Sequence, residues 1–283
     1  MQIERYELTL EIDDQDKRIF HSPARGALLH GLLMREVGSS NIHSNANAPR
    51  AFSQYLQRRS DGRQIWTINL LHDSATPIKE WLHSLKAHVE KERDDSSNAL
   101  NLYIEHYDSS ITVSNVELTE RLSYQDLFAR SISDLPPKFV SFDFLTPLVF
   151  KKAGQESPHP FPEARLIVQS ALSRWNAFSD CATLGEPEIL DELNRYASIF
   201  SFNLRSQHVA MDKIDFAGST GSISYVIHRA ELRQIFDLCG RYAEFCGLGA
   251  KTAMGLGAVK YTAQELRHAS RRRAVHTDQS ALT

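Results

Sequence analysis

Tyr6, Leu8, Leu10 and Ile12 are apolar while Glu7, Thr9 and Glu11 between them are polar, the period of two expected of a half-buried strand. The period then changes. Leu28, Leu29, Leu32, Leu33 and Val37 recur at helical spacing, bounded by Ser22-Pro23, a cap with proline at the first helical position, and by Gly38. Extended runs at 51–56 and 65–70 flank Ser60-Asp61-Gly62, which predicts a hairpin. Thr76-Pro77 opens a second helix with Ile78, Trp81, Leu82, Leu85 and Val89 on one face, and 100–104 and 111–118 read as strands. The order is βαββαβ with one extra strand.

Asp134-Leu135-Pro136-Pro137 interrupts the pattern, since prolines cannot donate to a ladder and the residues before them avoid helix. A domain boundary is expected there. Beyond it Val140, Phe142 and Phe144 alternate with Ser141 and Asp143 as a strand, and 164–178 reads as a helix. Stretches 199–209 and 221–227 read as extended. Leu232, Ile235, Cys239, Tyr242 and Cys246 mark one face of a helix ending at Gly247, and 256–261 closes the set. The expected fold is α+β: two tandem ferredoxin-like (βαββαβ) domains with antiparallel sheets, at 1–135 and 136–262, and a polar tail at 263–283.

Composition narrows the function classes. The chain has 283 residues, 42% of them hydrophobic, and three cysteines, Cys181, Cys239 and Cys246, without a CxxC pair. Neither a disulfide framework nor a structural zinc site is suggested, and a cytoplasmic location fits. No apolar run reaches the ~20 residues of a membrane-spanning helix. A net charge of −3 argues against a uniformly basic nucleic-acid-binding protein. Local patches remain, at Arg58, Arg59 and Arg63 and at Arg267, Arg271, Arg272 and Arg273, with solvated surface charge as the alternative reading.

The most informative stretch is Gly247-Leu248-Gly249-Ala250-Lys251-Thr252-Ala253-Met254-Gly255-Leu256-Gly257, between a helix and the last strand. Its four glycines permit positive φ and close backbone approach, bare amides suit phosphate oxygens, and Lys251 adds charge. The dinucleotide fingerprint follows a strand and opens a helix; this loop does the reverse, and no Walker pattern occurs, so no nucleotide cofactor is expected. No HExxH helix points to a metal. The alternative is a glycine helix cap followed by a bulge.

This loop resembles the hallmark of the RAMP superfamily, and 245–257 looks like its CRISPR repeat-processing endoribonuclease branch. Further segments are similar to family motifs: Phe144-Leu145-Thr146-Pro147-Leu148-Val149-Phe150 to a strand-to-loop "TP" segment, Phe216-Ala217-Gly218-Ser219-Thr220-Gly221 to an "F-G" turn, and Leu29-His30-Gly31-Leu32-Leu33, Ile42-His43 and Pro49-Arg50-Ala51-Phe52-Ser53 to motifs on and after the first helix. The resemblance spans roughly residues 1–261.

What the resemblance implies is a metal-independent endoribonuclease. It would cut precursor CRISPR RNA within its repeats, with the ribose 2′-hydroxyl as nucleophile, leaving a 2′,3′-cyclic phosphate and a 5′-hydroxyl. Repeat RNA is then the partner, effector-complex proteins are further candidates, and the chain would act as monomer or homodimer without a cofactor. His43 occupies the place of the catalytic histidine and Arg50 that of a basic residue; His30 is the second candidate for proton transfer. Met34 stands where some members carry a tyrosine, so Tyr55 is a substitute to consider. Gly247, Gly249, Lys251, Gly255 and Gly257 are the expected RNA-binding loop. Arg174 beside Trp175, and Arg205 near His208, are further RNA-binding candidates, against a core role for the tryptophan. Two rival readings stay open: a noncatalytic RAMP subunit that holds guide RNA, and a nucleotide-binding enzyme.

Overall fold

A computed structural model describes residues 1–12, 25–38, 48–92, 100–104, 109–133, 136–152, 154, 157–211 and 214–264. The first half runs β1 (Gln2–Ile12), α1 (Arg25–Val37), β2 (Phe52–Arg58), β3 (Gln64–Leu70), α2 (Thr76–Glu92), β4 (Leu100–Ile104), β5 (Ser109–Ser123) and α3 (Tyr124–Ser133). The second runs β6 (Phe139–Leu148), α4 (Ala164–Phe178), α5 (Glu186–Tyr196), β7 (Ala197–Met211), β8 (Ile214–Ile227), α6 (Ala230–Cys246) and β9 (Val259–Gln264).

Two separate antiparallel sheets result, ordered β2-β3-β1-β5-β4 and β7-β8-β6-β9. In each, the first strand of the half lies between its third strand and its last full crossover strand, the ferredoxin-like arrangement predicted from the periodicities. β4 is the extra strand and takes the outer edge beside β5. The predicted hairpin forms through Arg59–Arg63, with Gly62 at φ 88°. The Ser22-Pro23 cap, the 134–135 part of the proline boundary and the tail from 265 onward lie outside the described residues.

Three features differ from the sequence reading. Helices α3 and α5 went unread. α3 follows β5 without a break; the Asp126 carboxylate accepts from the Ser123 amide at 3.0 Å, a local cap that turns strand into helix. Among its described side chains α5 buries only Leu190 and Leu193 fully, too short an apolar stripe to stand out. The Phe216–Gly221 stretch is no turn; it lies inside β8, paired with β7 from Thr220↔Arg205 to Phe216↔Val209. Gly221, at φ 104°, serves that pairing, because a Cβ there would overlap the Asn203 carbonyl.

The halves share one hydrophobic cluster. At their junction Tyr124 of α3 packs edge-on against Trp175 of α4 (centroids 5.2 Å) and its hydroxyl lies 3.1 Å from that of Tyr242 on α6. Trp175 is thus core, 1% exposed. Burial raises the Tyr124 phenol well above its ordinary range, so it is a neutral hydrogen-bonding group there.

Candidate functional site

The glycine-rich loop starts where α6 ends. Gly247 (φ 68°) terminates the helix, its amide donating to the Ala243 carbonyl at 2.9 Å. Gly249 (φ 75°), Gly255 (φ 88°) and Gly257 (φ 67°) turn the chain back toward β9. Lys251 also lies in the left-handed region (φ 61°), a conformation unfavourable for a side-chain-bearing residue.

What the glycines face is mostly protein. A Cβ at Gly257 would overlap the Leu248 carbonyl oxygen and one at Gly249 the Val149 carbonyl oxygen; one at Gly255 would sit 2.6 Å from the Gly26 Cα on α1. The glycine amides are likewise used internally: Gly249 donates to Ser170 Oγ (2.7 Å), Gly255 to the Thr252 carbonyl (3.3 Å) and Gly257 to the Pro147 carbonyl (3.0 Å). The helix-cap reading therefore accounts for much of the glycine pattern, and the charge carried by the loop's own side chains is that of half-buried Lys251.

Arg174 reaches the same loop from α4. One guanidinium nitrogen donates to the Ser170 carbonyl (3.0 Å) and Oγ (2.9 Å), the other to the Gly249 carbonyl (2.9 Å) and Thr252 Oγ1 (3.2 Å). Its donors thus brace the loop through a charge-assisted hydrogen bond to a half-buried backbone carbonyl.

Beside this anchor lies a cavity of about 370 Å³. Gly249, Ala250 and Arg174 form one wall, Gln169 and Ser173 of α4 continue it, and Pro49 closes it from the first half. Lys151 adds a second cation. Arg50 follows Pro49 directly and is half-buried. Residues 39–47 precede it, so His43 lies outside the described residues. His30 sits half-buried on α1, its ring stacked on Phe52 of β2 with centroids 6.0 Å apart and planes 12° apart. Met34 is buried in the core. Tyr55 alternates with Gln54 along β2 and so points to the sheet face away from α1.

Arg205 is not among the residues lining this cavity. It lies exposed on edge strand β7, opposite Thr220, on the element that also exposes Phe200 and Phe202. His208, also exposed, has Nε2 3.8 Å from Asp215. Among the described residues no cluster of three or more His, Cys, Asp or Glu side chains could hold a metal ion, and no helix is long and apolar enough to cross a membrane.

Sequence reasoning missed the polar residues that join the two halves. Gln54, 1% exposed, donates from Nε2 to the Gly26 carbonyl (3.1 Å) and the Ala253 carbonyl (2.8 Å), and its Oε1 accepts from Trp66 Nε1. Ser53 Oγ donates to the Phe245 carbonyl at the end of α6 and accepts from Asn69 Nδ2 (2.9 Å). Arg5 donates to Asn69 Oδ1 (2.9 Å) and to the Glu244 carbonyl (2.8 Å), and stacks over the Phe245 ring at 4.3 Å. A signal was present for Gln54: it occupies the phase of Phe52 and Leu56, where a buried strand face should be apolar.

Residues 142–259 match the family described as CRISPR-associated endoribonuclease Cas6. Curated relatives with that description include one from Mycobacterium tuberculosis, 24% identical over 91% of this chain and 78% of its own length. Another, from Streptococcus thermophilus, is 26% identical over 86% of this chain and 94% of its own. Among solved structures, a Cas6 product complex aligns with a TM-score of 0.70 at 22% identity, over 92% of this chain and all of its own. A Thermus thermophilus Cas6 aligns with a TM-score of 0.60 at 20% identity, over 92% and 98%. These structures share the fold of two ferredoxin-like halves.

Proposed function

We propose, for a chain that belongs to the CRISPR-associated endoribonuclease Cas6 family, that it cuts precursor CRISPR RNA within the repeats to release guide RNAs. The observation that carries the reading is the convergence of Ala48 and Pro49 of one half, the residues just before Arg50, with α4 and the glycine loop of the other around a single cavity. An RNA strand lying there would touch both halves. The working units are residues 1–135, carrying the chemistry, and 136–262, carrying the grip, in a cytoplasmic protein.

The chemistry follows from the substrate. The 2′-hydroxyl oxygen forms a bond to the adjacent phosphorus as the bond from phosphorus to the 5′-oxygen breaks. The products are a 2′,3′-cyclic phosphate and a 5′-hydroxyl. One proton leaves the 2′-oxygen and one reaches the departing 5′-oxygen. We assign that transfer to His43, whose ordinary pKa of about 6.5 suits both directions, with His30 as second candidate. Arg50 offsets charge building on the phosphoryl oxygens, and Lys251 with Lys151 holds neighbouring phosphates. Arg174 acts through the loop it braces, and Arg205 extends the contact with RNA along β7.

A repeat RNA carrying a single 2′-deoxy nucleotide just upstream of the cut tests this in the presence of a chelator. The all-ribose RNA should be cut to a cyclic phosphate end while the deoxy RNA stays whole. Cleavage of the deoxy RNA, or cleavage that stops with the chelator, would contradict the mechanism. Tight binding with no cutting of any repeat would favour the guide-holding subunit instead.

A further inference from the structure

Consecutive residues of β2 hold the second half from opposite sides. Side chains alternate across a strand, so Ser53 and Gln54 face different sides of the sheet. Ser53 meets the last turn of α6 at the Phe245 carbonyl, and Gln54 meets the loop at the Ala253 carbonyl. Between those two carbonyls the chain runs through Gly247 and Gly249, so the end of α6 and the loop close around the edge of the first sheet.

The register strengthens the first grip. Ser53, Asn69, Arg5 and Glu120 are neighbours across β2, β3, β1 and β5 and form one hydrogen-bonded row. That row presents Ser53 and Arg5 to the carbonyls of Phe245 and Glu244, the negative end of α6. The second grip is a single buried amide: Gln54 Nε2 gives one proton to α1 at Gly26 and one to the loop at Ala253. The contact it ties is close, with Gly255 lying against the Gly26 backbone where no Cβ fits on either side.

We propose that Gln54 is a positioning residue that fixes the spacing between helix α1 and the glycine-rich loop, and through it the alignment of RNA held by the loop with the first half. This inference rests on the endoribonuclease reading. It does not place Gln54 in contact with RNA. Leucine at this position keeps approximate volume but removes both donors, leaving two buried carbonyls and the Trp66 indole without their partner. Glutamate keeps shape but as a carboxylate faces two carbonyl oxygens; only when protonated can it donate, and then to one of them.

The test compares the full-length wild type, Gln54→Leu and Gln54→Glu in single-turnover cleavage of a repeat RNA, in equilibrium binding of the same RNA, and in amide hydrogen exchange, each well below the variant's own Tm. Misplacement by about 1 Å costs on the order of 10²-fold in rate, so Gln54→Leu should lose about that much cleavage with an unchanged Kd. Amides 253–257 and the first turn of α1 should exchange faster together. Gln54→Glu should regain rate relative to wild type as the pH falls and its carboxyl protonates. An unchanged rate, a loss matched by an equal loss of binding, or unaltered exchange at both segments would overturn the proposal. A wild type that cuts no repeat would overturn the endoribonuclease reading instead, while exchange would still decide whether Gln54 couples the two segments. Should Gln54→Leu fail to fold, the pH dependence of exchange in Gln54→Glu decides the point.

Discussion

The two halves share a strand order but reach their junction with different chemistry. The first supplies side-chain donors from regular strands, Arg5, Ser53 and Gln54. The second supplies backbone acceptors, the carbonyls of Glu244, Phe245 and Ala253, from a helix end and a loop held at positive φ. A donor side chain on a sheet can be removed without forcing backbone apart. A loop whose glycines touch other backbone cannot gain a methyl group without moving its neighbours.

Glycine substitutions should separate these behaviours most strongly. Alanine at Gly257 meets the Leu248 carbonyl at φ 67°. Overlap costs about 1–3 kcal/mol and the left-handed conformation about 1–2 more. Gly31→Ala in α1 meets nothing within 4 Å and should instead stabilise by up to about 1 kcal/mol. Denaturant unfolding of the two variants reads the contrast; similar midpoints would remove it.

Lys251 divides stability from binding. Lys251→Gly relieves a left-handed residue and should stabilise the fold by about 1 kcal/mol. If Lys251 contacts a phosphate, the same change weakens binding of any repeat RNA and lowers the slope of log K against log salt by about 1. An unchanged salt slope would take Lys251 out of the interface.

The smallest effect is expected at Glu244, whose carboxyl lies at the junction and is raised above its ordinary range chiefly by burial, against an opposing hydrogen bond from the Tyr261 amide. An acid with a raised folded-state pKa favours folding when protonated, and that contribution is lost as pH rises through the folded value. Glu244→Gln should therefore raise Tm at neutral pH, with the gain fading below the ordinary glutamate pKa of about 4.3. A gain that grows on acidification would contradict the assignment.

Much of the fold could be read from the chain because its core strands and helices carry clean periods, as in Tyr6 to Ile12 or 164–178. α3 and α5 escaped because one begins inside a continuing strand pattern and the other has a thin apolar stripe. For the loop, the glycines signalled unusual backbone but not what that backbone faces; close approach to Val149 and Gly26 is long-range information that no spacing carries. The seam at Arg5, Ser53, Gln54 and Asn69 was hidden for the same reason, apart from one polar residue on an apolar strand phase.

The division of labour, with chemistry in the first half and grip in the second, is tested most directly by His43→Ala. With repeat RNA in chelator, cleavage should fall by about 10²–10⁴-fold while RNA affinity is retained. Cleavage at the wild-type rate, or a loss explained wholly by weaker binding, would contradict it.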